Sequence, residues 1–340
     1  MDQPTIKELE ERFYSKPFFL SYSGLNKLLY SPNLFYKHYI LEEKEERVDS
    51  HLIDGKVIHS LLLEDGSFEK DFVLLPLSLP TGNTRTVVDK VFELSKTLTD
   101  EPPSPDGWNL DSLTTQIIDV LKQINLHQSL KTDQQRVDKI VNTETRSYWE
   151  FLKIRGNKIL VDDETLARCK ESVEVFRSNE RVRELLGLNS TEMDRVVIHN
   201  ELPYQTTNMN NHGFGLKGVM DNVKVDHDQR VIFINDIKTS GKTLADFPDS
   251  VEYYKYWIQA AIYERLVRDL YVQHMEAGYR IEFTFIVIDK YLQVYPFKVS
   301  EETLSKWQAQ LEDVLSEADW HYWNRDYTLP QKFAMNQVIL

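Results

Sequence analysis

Apolar and polar positions change rhythm along the chain. In the stretch SYSGLNKLLYSPNLFYKHYILEEKEERV, residues 21–48, a serine cap precedes a short helical pattern. Ser31-Pro32 breaks that pattern, and Leu34, Phe35, Tyr36 and Tyr39 resume it. Residues 53–65, IDGKVIHSLLLED, predict a helix with an apolar stripe of Val57, Ile58, Leu61 and Leu62. Residues 66–95 mix strand-like and turn-like pieces around Pro76, Pro80 and Gly82. EPPSPDG at 101–107 reads as a linker. Two or three helices follow over roughly 110–153, around Ile117, Ile118, Val120, Leu121 and Ile124. Residues 162–186 read as one more amphipathic helix. The spacing then shortens. Residues 192–200, 213–225 and 231–238 predict three successive strands, 251–274 a long helix, and 280–289 and 292–299 two further strands. A final helix over 301–318 runs into an aromatic tail, WHYWNRDY. No internal repeat and no low-complexity segment interrupts this plan.

Helix, three strands, helix, strand is the order of a small α/β core, and its middle hairpin is unusual. In KGVMDNVKVDHDQRVIFINDIKTS, two apolar stretches flank the turn-like Asp226-His227-Asp228-Gln229. An antiparallel hairpin centred between His227 and Asp228 sets Asp221 opposite Ile234. Asp236 and Lys238 then share its face, because side chains alternate with period two. The diagonal between Asp221 and Asp236 would be roughly 7–8 Å, provided the register holds. Two carboxylates converging on an apolar sheet repel unless a cation lies between them. Mg²⁺ suits such a site, taking oxygen ligands at about 2.0–2.1 Å and keeping several waters. Lys238 beside it would orient or deprotonate a water. Taken alone, an Asp-x-Lys sequence reads as a solvated hairpin end with an ion pair, so its surroundings must decide.

The 340 residues suffice for one large domain or two small ones. A hydrophobic fraction of 41% supports a sizeable core, and 11% aromatic content argues against disorder. No apolar run reaches membrane-spanning length. The first residues carry no apolar signal region, so a cytoplasmic location is expected. Cys169 is the single cysteine, which excludes a disulfide framework and a four-cysteine cluster within one chain. The net charge of −14 argues against a histone-like binder, whose affinity comes from a basic surface. A local basic groove can still coexist with an acidic exterior. Lys27, Lys37, Lys217, Lys242 and Lys255 flank the polar motifs and are candidate DNA contacts, or else solvated surface lysines.

Further polar residues sit on the flanking helices. Gly55-Lys56-Val57-Ile58-His59 places a histidine on the first of them, as a core residue or as a metal ligand. Glu64 follows five residues later, roughly a third of a turn away. Gln259 and Tyr263, at i and i+4, share one face of the long helix. They form a surface pair there or, if the helix packs beside the hairpin, reach a phosphate or an attacking water. Tyr253, Tyr254, Tyr256 and Trp257 precede them. Packing accounts for most of these rings, and one or two have the character to stack on a base.

Together, SYSGLNKLLYSPNLF, GKVIHSLLLEDGSFEKDFVLLP, KGVMD, DIKTS and QAAIY resemble, in content and order, the RecE-like (exonuclease VIII type) nucleases of the PD-(D/E)XK superfamily, related to the RecB nuclease domain. The resemblance covers residues 21–299. Its pattern of Gly-x-x-x-His, Asp, Asp-x-Lys and Gln-x-x-x-Tyr falls on His59, Asp221, Asp236, Lys238, Gln259 and Tyr263. It implies a restriction-endonuclease-like core, a mixed sheet flanked by helices, with a helical insertion at 97–153. It implies Mg²⁺, or Mn²⁺ in its place, held by His59, Asp221, Asp236 and the backbone carbonyl of Ile237, with Lys238 positioning water and with Glu192, and less directly Glu64, in support. It further implies a 5′-to-3′ exonuclease on double-stranded DNA. Such an enzyme works in recombination, often phage-encoded, as a ring-like homo-oligomer with a single-strand annealing protein as partner. Two positions depart from the pattern. Met220 replaces the name-giving proline. Ser31 stands where related RecB-like and AddB-like nucleases carry a cysteine, so no iron–sulfur cluster is expected. The alternatives are a DNA endonuclease on the same core, or a non-catalytic DNA-binding or regulatory protein that kept the fold.

Overall fold

The β-branched and aromatic runs after residue 195 fold as five strands, which with the short strand Phe19–Leu20 build a six-stranded sheet among the described residues. In the computed structural model these residues are 4–43, 50–64, 66–97, 108–189, 195–207 and 212–338. The linker expected at 101–107 and Glu192 lie outside them. The strands are β1 (Phe19–Leu20), β2 (Phe72–Leu74), β3 (Ile159–Val161), β4 (Val196–Thr206), β5 (Gly215–Asp226), β6 (Val231–Ser240), β7 (Arg280–Asp289) and β8 (Val294–Val299).

By contact the chain divides into two compact units, Gly66–Cys169 and the remainder. The larger unit holds the six-stranded sheet, in the order β1-β5-β6-β7-β8 with β4 also on β5. The β4–β5, β5–β6 and β7–β8 pairs are antiparallel, and β1–β5 and β6–β7 are parallel. The fold is therefore a mixed, mainly antiparallel sheet flanked by helices. The parallel β6–β7 pair requires a crossover, supplied chiefly by the helix Tyr256–Leu270. Ile258, Ile262 and Leu266 of that helix join Val223, Val225, Ile232 and Ile234 in one buried cluster. Leu311 and Leu315 of the helix Glu301–Asn324 belong to the same cluster.

The core-facing side of β5 changes parity along its length. Leu216 and Met220 reach the apolar cluster, and so do Val223 and Val225. A Cβ on Gly218 would lie 2.8 Å from Tyr263 Cε1. Even positions thus face the helix before Asp221 and odd positions face it after. β4 switches at the matching place, from Val197 to Leu202 and Tyr204. Between them stands Glu201, a non-glycine residue at φ 46. Asn200 pairs with Asn222 and Leu202 with Met220, so Glu201 falls opposite Asp221.

On the opposite side of the sheet a ladder of asparagines crosses three strands. Asn235 Nδ2 donates to Asn222 Oδ1 at 2.8 Å, and Asn222 Nδ2 donates to Asn200 Oδ1 at 2.8 Å. Each asparagine of the ladder also holds a carbonyl at a helix C-terminus. Asn235 and Asn222 donate to Leu185 O and Leu186 O at 2.9 and 3.3 Å. Asn200 donates to Leu63 O at 2.8 Å. These bonds satisfy carbonyls that a helix end leaves open.

The smaller unit has its own core, with Val87, Val91, Ile117, Leu121, Ile140 and Trp149 among its buried residues. Three helices, Thr114–Gln123, Asp133–Ile140 and Thr143–Arg155, fall within the stretch expected to be a helical insertion. β2 and β3 pair in parallel, Phe72 with Ile159 through Leu74 with Val161.

Several expected elements are corrected. Residues 82–95, read as strand-like and turn-like, form the helix Gly82–Ser95. Its threonines and adjacent valines have strand propensity, yet Val87, Val88, Val91, Phe92 and Ser95 are buried at helical spacing. The helix expected over 162–186 is two, Asp163–Ser178 and Glu180–Leu186, separated by Asn179, whose side chain caps the second. The helix expected over 251–274 is three, with Lys255 at φ 56 between the first two. The final helix continues to Asn324 and absorbs part of the aromatic tail. The hairpin register is shifted by two, because Val223 pairs with Ile234. Asp226 accepts from Gln229 N at 2.8 Å and Arg230 adopts φ 52, which moves the turn along by one residue. A shift of two keeps every side chain on its expected face.

Candidate active site

The β5–β6 ladder ends at Asn222–Asn235, where the polar residues converge. Past that pair Ile237 stays in register with Ile286 of β7 but has no backbone partner on β5. Its N–H donates instead to Asp221 Oδ2 at 2.7 Å. The corrected register, extrapolated one step, sets Asp221 across from Asp236 rather than diagonal to it. Asp221 is buried, and Asp236 and its carboxylate are wholly buried.

His59 reaches this point from the helix Ser50–Leu63. Its Nε2 lies 3.3 Å from Ile237 O and 3.7 Å from Asp221 Oδ2, and its Nδ1 lies 3.2 Å from Glu201 Oε1. Gly55, one turn earlier, lets the helix come close to the strand, since a Cβ there would already touch Thr239 Oγ1 at 3.5 Å. His59, Glu201 and Asp221 each offer one ligand atom within 4.8 Å of the others. Asp236 is outside this trio. Its Oδ1 accepts from Gln259 Nε2 at 2.8 Å, and its Oδ2 lies 2.5 Å from Lys238 Nζ. The cation that Asp236 meets is therefore the lysine ammonium. Gln259 Nε2 also donates to Tyr263 OH at 3.0 Å, so the pair at i and i+4 faces the sheet. Lys238 Nζ rests 4.9 Å from the centroid of the Tyr256 ring.

The charges are interdependent. Burial raises the Asp221 carboxyl, against the lowering influence of His59, Lys238 and the Ile237 N–H. Burial likewise raises Asp236, to about 6, with Lys238 opposing it and Asp221 adding to it. For Lys238, burial favours the neutral amine, but Asp236 and Asp221 outweigh it and keep the ammonium charged. His59 behaves similarly. Burial lowers its pKa, and Asp221 and Glu201 overcome that to raise it to about 9. Both ring nitrogens face acceptors, which is the arrangement of an imidazolium.

This donor set fits a hard divalent cation. Carboxylate oxygens, one imidazole and a backbone carbonyl converge, beside Asp236, whose Oδ2 is held by the Lys238 ammonium. Gln259 Oε1 is a buried acceptor without a hydrogen-bond partner.

Sequence reasoning missed Glu201. Strand alternation alone cannot place it, because the parity change at Asn200 and Glu201 puts it on the Asp221 side. The available signal was the switch of apolar positions from Val197 to Leu202 and Tyr204 in VVIHNELPYQ. Glu64 is exposed and is not in the trio. Of the suggested DNA-contacting lysines, Lys37, Lys217 and Lys242 are exposed, and Lys27 and Lys255 are half-buried.

No protein-family model matches the sequence, and no curated protein matches it. Among solved structures, the crystal structure of a candidate exonuclease from Eubacterium rectale is similar over 100% of this chain and 95% of that chain, at 12% identity and a TM-score of 0.47. At that level the likeness bears on neither residues nor chemistry. No helix among the described residues is long and apolar enough to cross a membrane.

Proposed function

We propose that the protein is a metal-dependent deoxyribonuclease that hydrolyses DNA phosphodiester bonds on a PD-(D/E)XK core. The observation that carries this reading is the meeting of His59, Glu201, Asp221 and the Ile237 carbonyl beside the buried Asp236–Lys238 pair, where the hairpin splays. A structural ion pair would need neither the trio nor the unpartnered buried Gln259 Oε1. A histidine and carboxylates crowded at a buried point suit phosphate chemistry, which needs a cation.

His59, Glu201, Asp221 and Ile237 O would hold Mg²⁺ or Mn²⁺, with the Asp236 carboxylate adding its charge beside them. A divalent ion there supplies the positive charge that polarises a phosphoryl group and acidifies bound water. Lys238, kept charged by Asp236 and Asp221, donates to the attacking water or to a non-bridging phosphate oxygen. Gln259 fixes Asp236 through Nε2 and offers its unpartnered Oε1 to a water hydrogen. Tyr263 holds the Gln259 amide in that orientation. The order of the motifs supports the finer reading, a 5′-to-3′ double-strand exonuclease of recombination, working as a ring-like homo-oligomer beside a single-strand annealing protein.

End-labelled linear duplex and closed circular DNA, each incubated with Mg²⁺ or with a chelator, test this. Mononucleotide release from the linear substrate alone, dependent on Mg²⁺, is expected. Cutting of the closed circle would favour the endonuclease alternative. Absence of hydrolysis with both Mg²⁺ and Mn²⁺ would refute the enzymatic reading.

A further inference from the structure

A line of aromatic rings leads from solvent to the candidate active site. Tyr253 is 74% exposed and Tyr254 44% exposed. Their rings meet edge to face at 4.9 Å and 90°. Tyr254 stacks on Tyr256 at 5.4 Å and 29°, and Tyr256 lies beneath the Lys238 ammonium at 4.9 Å. From an open tyrosine to the proposed water-positioning lysine, each step is therefore a ring contact.

The backbone that carries this line is held with unusual care. Between the helices Phe247–Tyr253 and Tyr256–Leu270, Lys255 adopts φ 56, a region that residues with a Cβ rarely occupy. The turn separates the helix that carries Tyr253 from the helix that carries Tyr256. Two side chains of the helix Tyr22–Tyr30 fix it. Tyr22 OH donates to Tyr254 O at 2.6 Å, and Asn26 Nδ2 donates to the same oxygen at 3.3 Å. Strain that neighbouring groups enforce is a mark of functional sites. Lys242, at the end of β6, brings its ammonium 5.9 Å from the Tyr253 ring.

Exposed aromatic faces with a cation alongside match the two demands of an unpaired nucleic-acid strand, which presents flat bases and phosphate charge. A base-paired duplex offers no free base face to such a ledge. The contents of the site at its inner end select the same ligand, since the path ends at the residues proposed to hold the scissile phosphate.

We propose that Tyr253 and Tyr254, with Lys242, form a stacking ledge on which the nucleotides flanking the scissile phosphate are bound as an unpaired DNA strand. This rests on the nuclease reading and adds the substrate's local state to it.

The test uses short single-stranded DNA oligonucleotides carrying 2-aminopurine at successive positions, with Ca²⁺ to hold the site charge without efficient turnover. Wild-type protein should quench the fluorophore at one or two adjacent positions. Tyr253→Ala/Tyr254→Ala should abolish that quenching and weaken binding by about tenfold or more. Tyr253→Phe/Tyr254→Phe should restore both, because stacking needs the ring and not the hydroxyl. Hydrolysis of a small phosphodiester without bases, bis(p-nitrophenyl) phosphate, by the wild-type protein serves as the control for the nuclease reading. The inference is overturned if the alanine variant binds and quenches as wild type does, if phenylalanine fails to rescue, or if the alanine variant differs only in its oligomeric state. In the last case the ledge is a contact between copies. A wild-type protein that hydrolyses neither DNA nor the small diester instead defeats the nuclease reading itself.

Discussion

Asn222 sits at the centre of the asparagine ladder, and its removal has a calculable cost. The residue is fully buried. Asn222→Ala removes the donors to Asn200 Oδ1 and Leu186 O and the acceptor for Asn235 Nδ2. A neutral hydrogen bond contributes about 0.5–1.5 kcal/mol net, so losing three costs roughly 3 kcal/mol. Two features hold the cost near that value. Asn235 Nδ2 keeps Leu185 O, and Asn200, on an exposed position, finds water. Asn235→Ala removes two bonds but also a buried Oδ1 that has no partner, and should cost less, about 2 kcal/mol. Asn200→Ala, in an exposed position, should cost about 1 kcal/mol. The double variant Asn222→Ala/Asn235→Ala should cost about 1 kcal/mol less than the sum, because the two share one bond. Hydrogen exchange at the β6 amides, followed through a urea series, reads the larger unit separately from the smaller one. An Asn222→Ala cost below about 0.5 kcal/mol, or an Asn200→Ala cost greater than that of Asn222→Ala, would refute the reasoning.

Lys238→Ala should retain Mg²⁺ and DNA binding while hydrolysis falls roughly 10²–10⁴-fold, and calorimetry beside single-turnover kinetics separates the two. Gly218→Ala forces a Cβ to 2.8 Å from Tyr263 Cε1 and 3.1 Å from Leu266 Cδ1, and should lower stability by about 1–3 kcal/mol in chemical denaturation. His59 has its pKa raised to about 9 in the fold, so the stability it adds to the metal-free protein is complete below its unfolded value of about 6.5 and is lost as pH rises through 9. Thermal melts of the metal-free protein across that window should show the loss, and His59→Gln should flatten it. Because the same proton competes with a cation, Mg²⁺ affinity measured by titration should rise over the same window.

The sequence made the centre of the site legible and left its margins dark, for physical reasons. Asp221, Asp236 and Lys238 are tied by period two, which survives even a register error of two residues. The register itself depended on the Asp226 side chain and the left-handed Arg230, which composition does not disclose. The break at Lys255 was hidden for a similar reason, since YYKYW contains neither glycine nor proline. Gln259 and Tyr263 were legible because helical spacing fixes their common face. Glu201 was not, because its place follows from a parity change that two strands make together. His59 and Glu201 are 142 residues apart, and no local rule links them.

The small β2–β3 pairing has a consequence of its own. Its strands run in parallel, so the chain leaves and re-enters the smaller unit through two neighbouring strands, a strand spacing of roughly 5 Å apart. Every residue of that unit's apolar cluster falls between Val73 and Leu160. The segment is thus a cassette, bracketed by its own clasp and carrying its own interior. Such a cassette can be gained, exchanged or lost over evolutionary time by a single event at one locus. His59, Glu201, Asp221, Asp236, Lys238, Gln259 and Tyr263 all lie outside the cassette, which among the described residues contributes no side chain to their cluster.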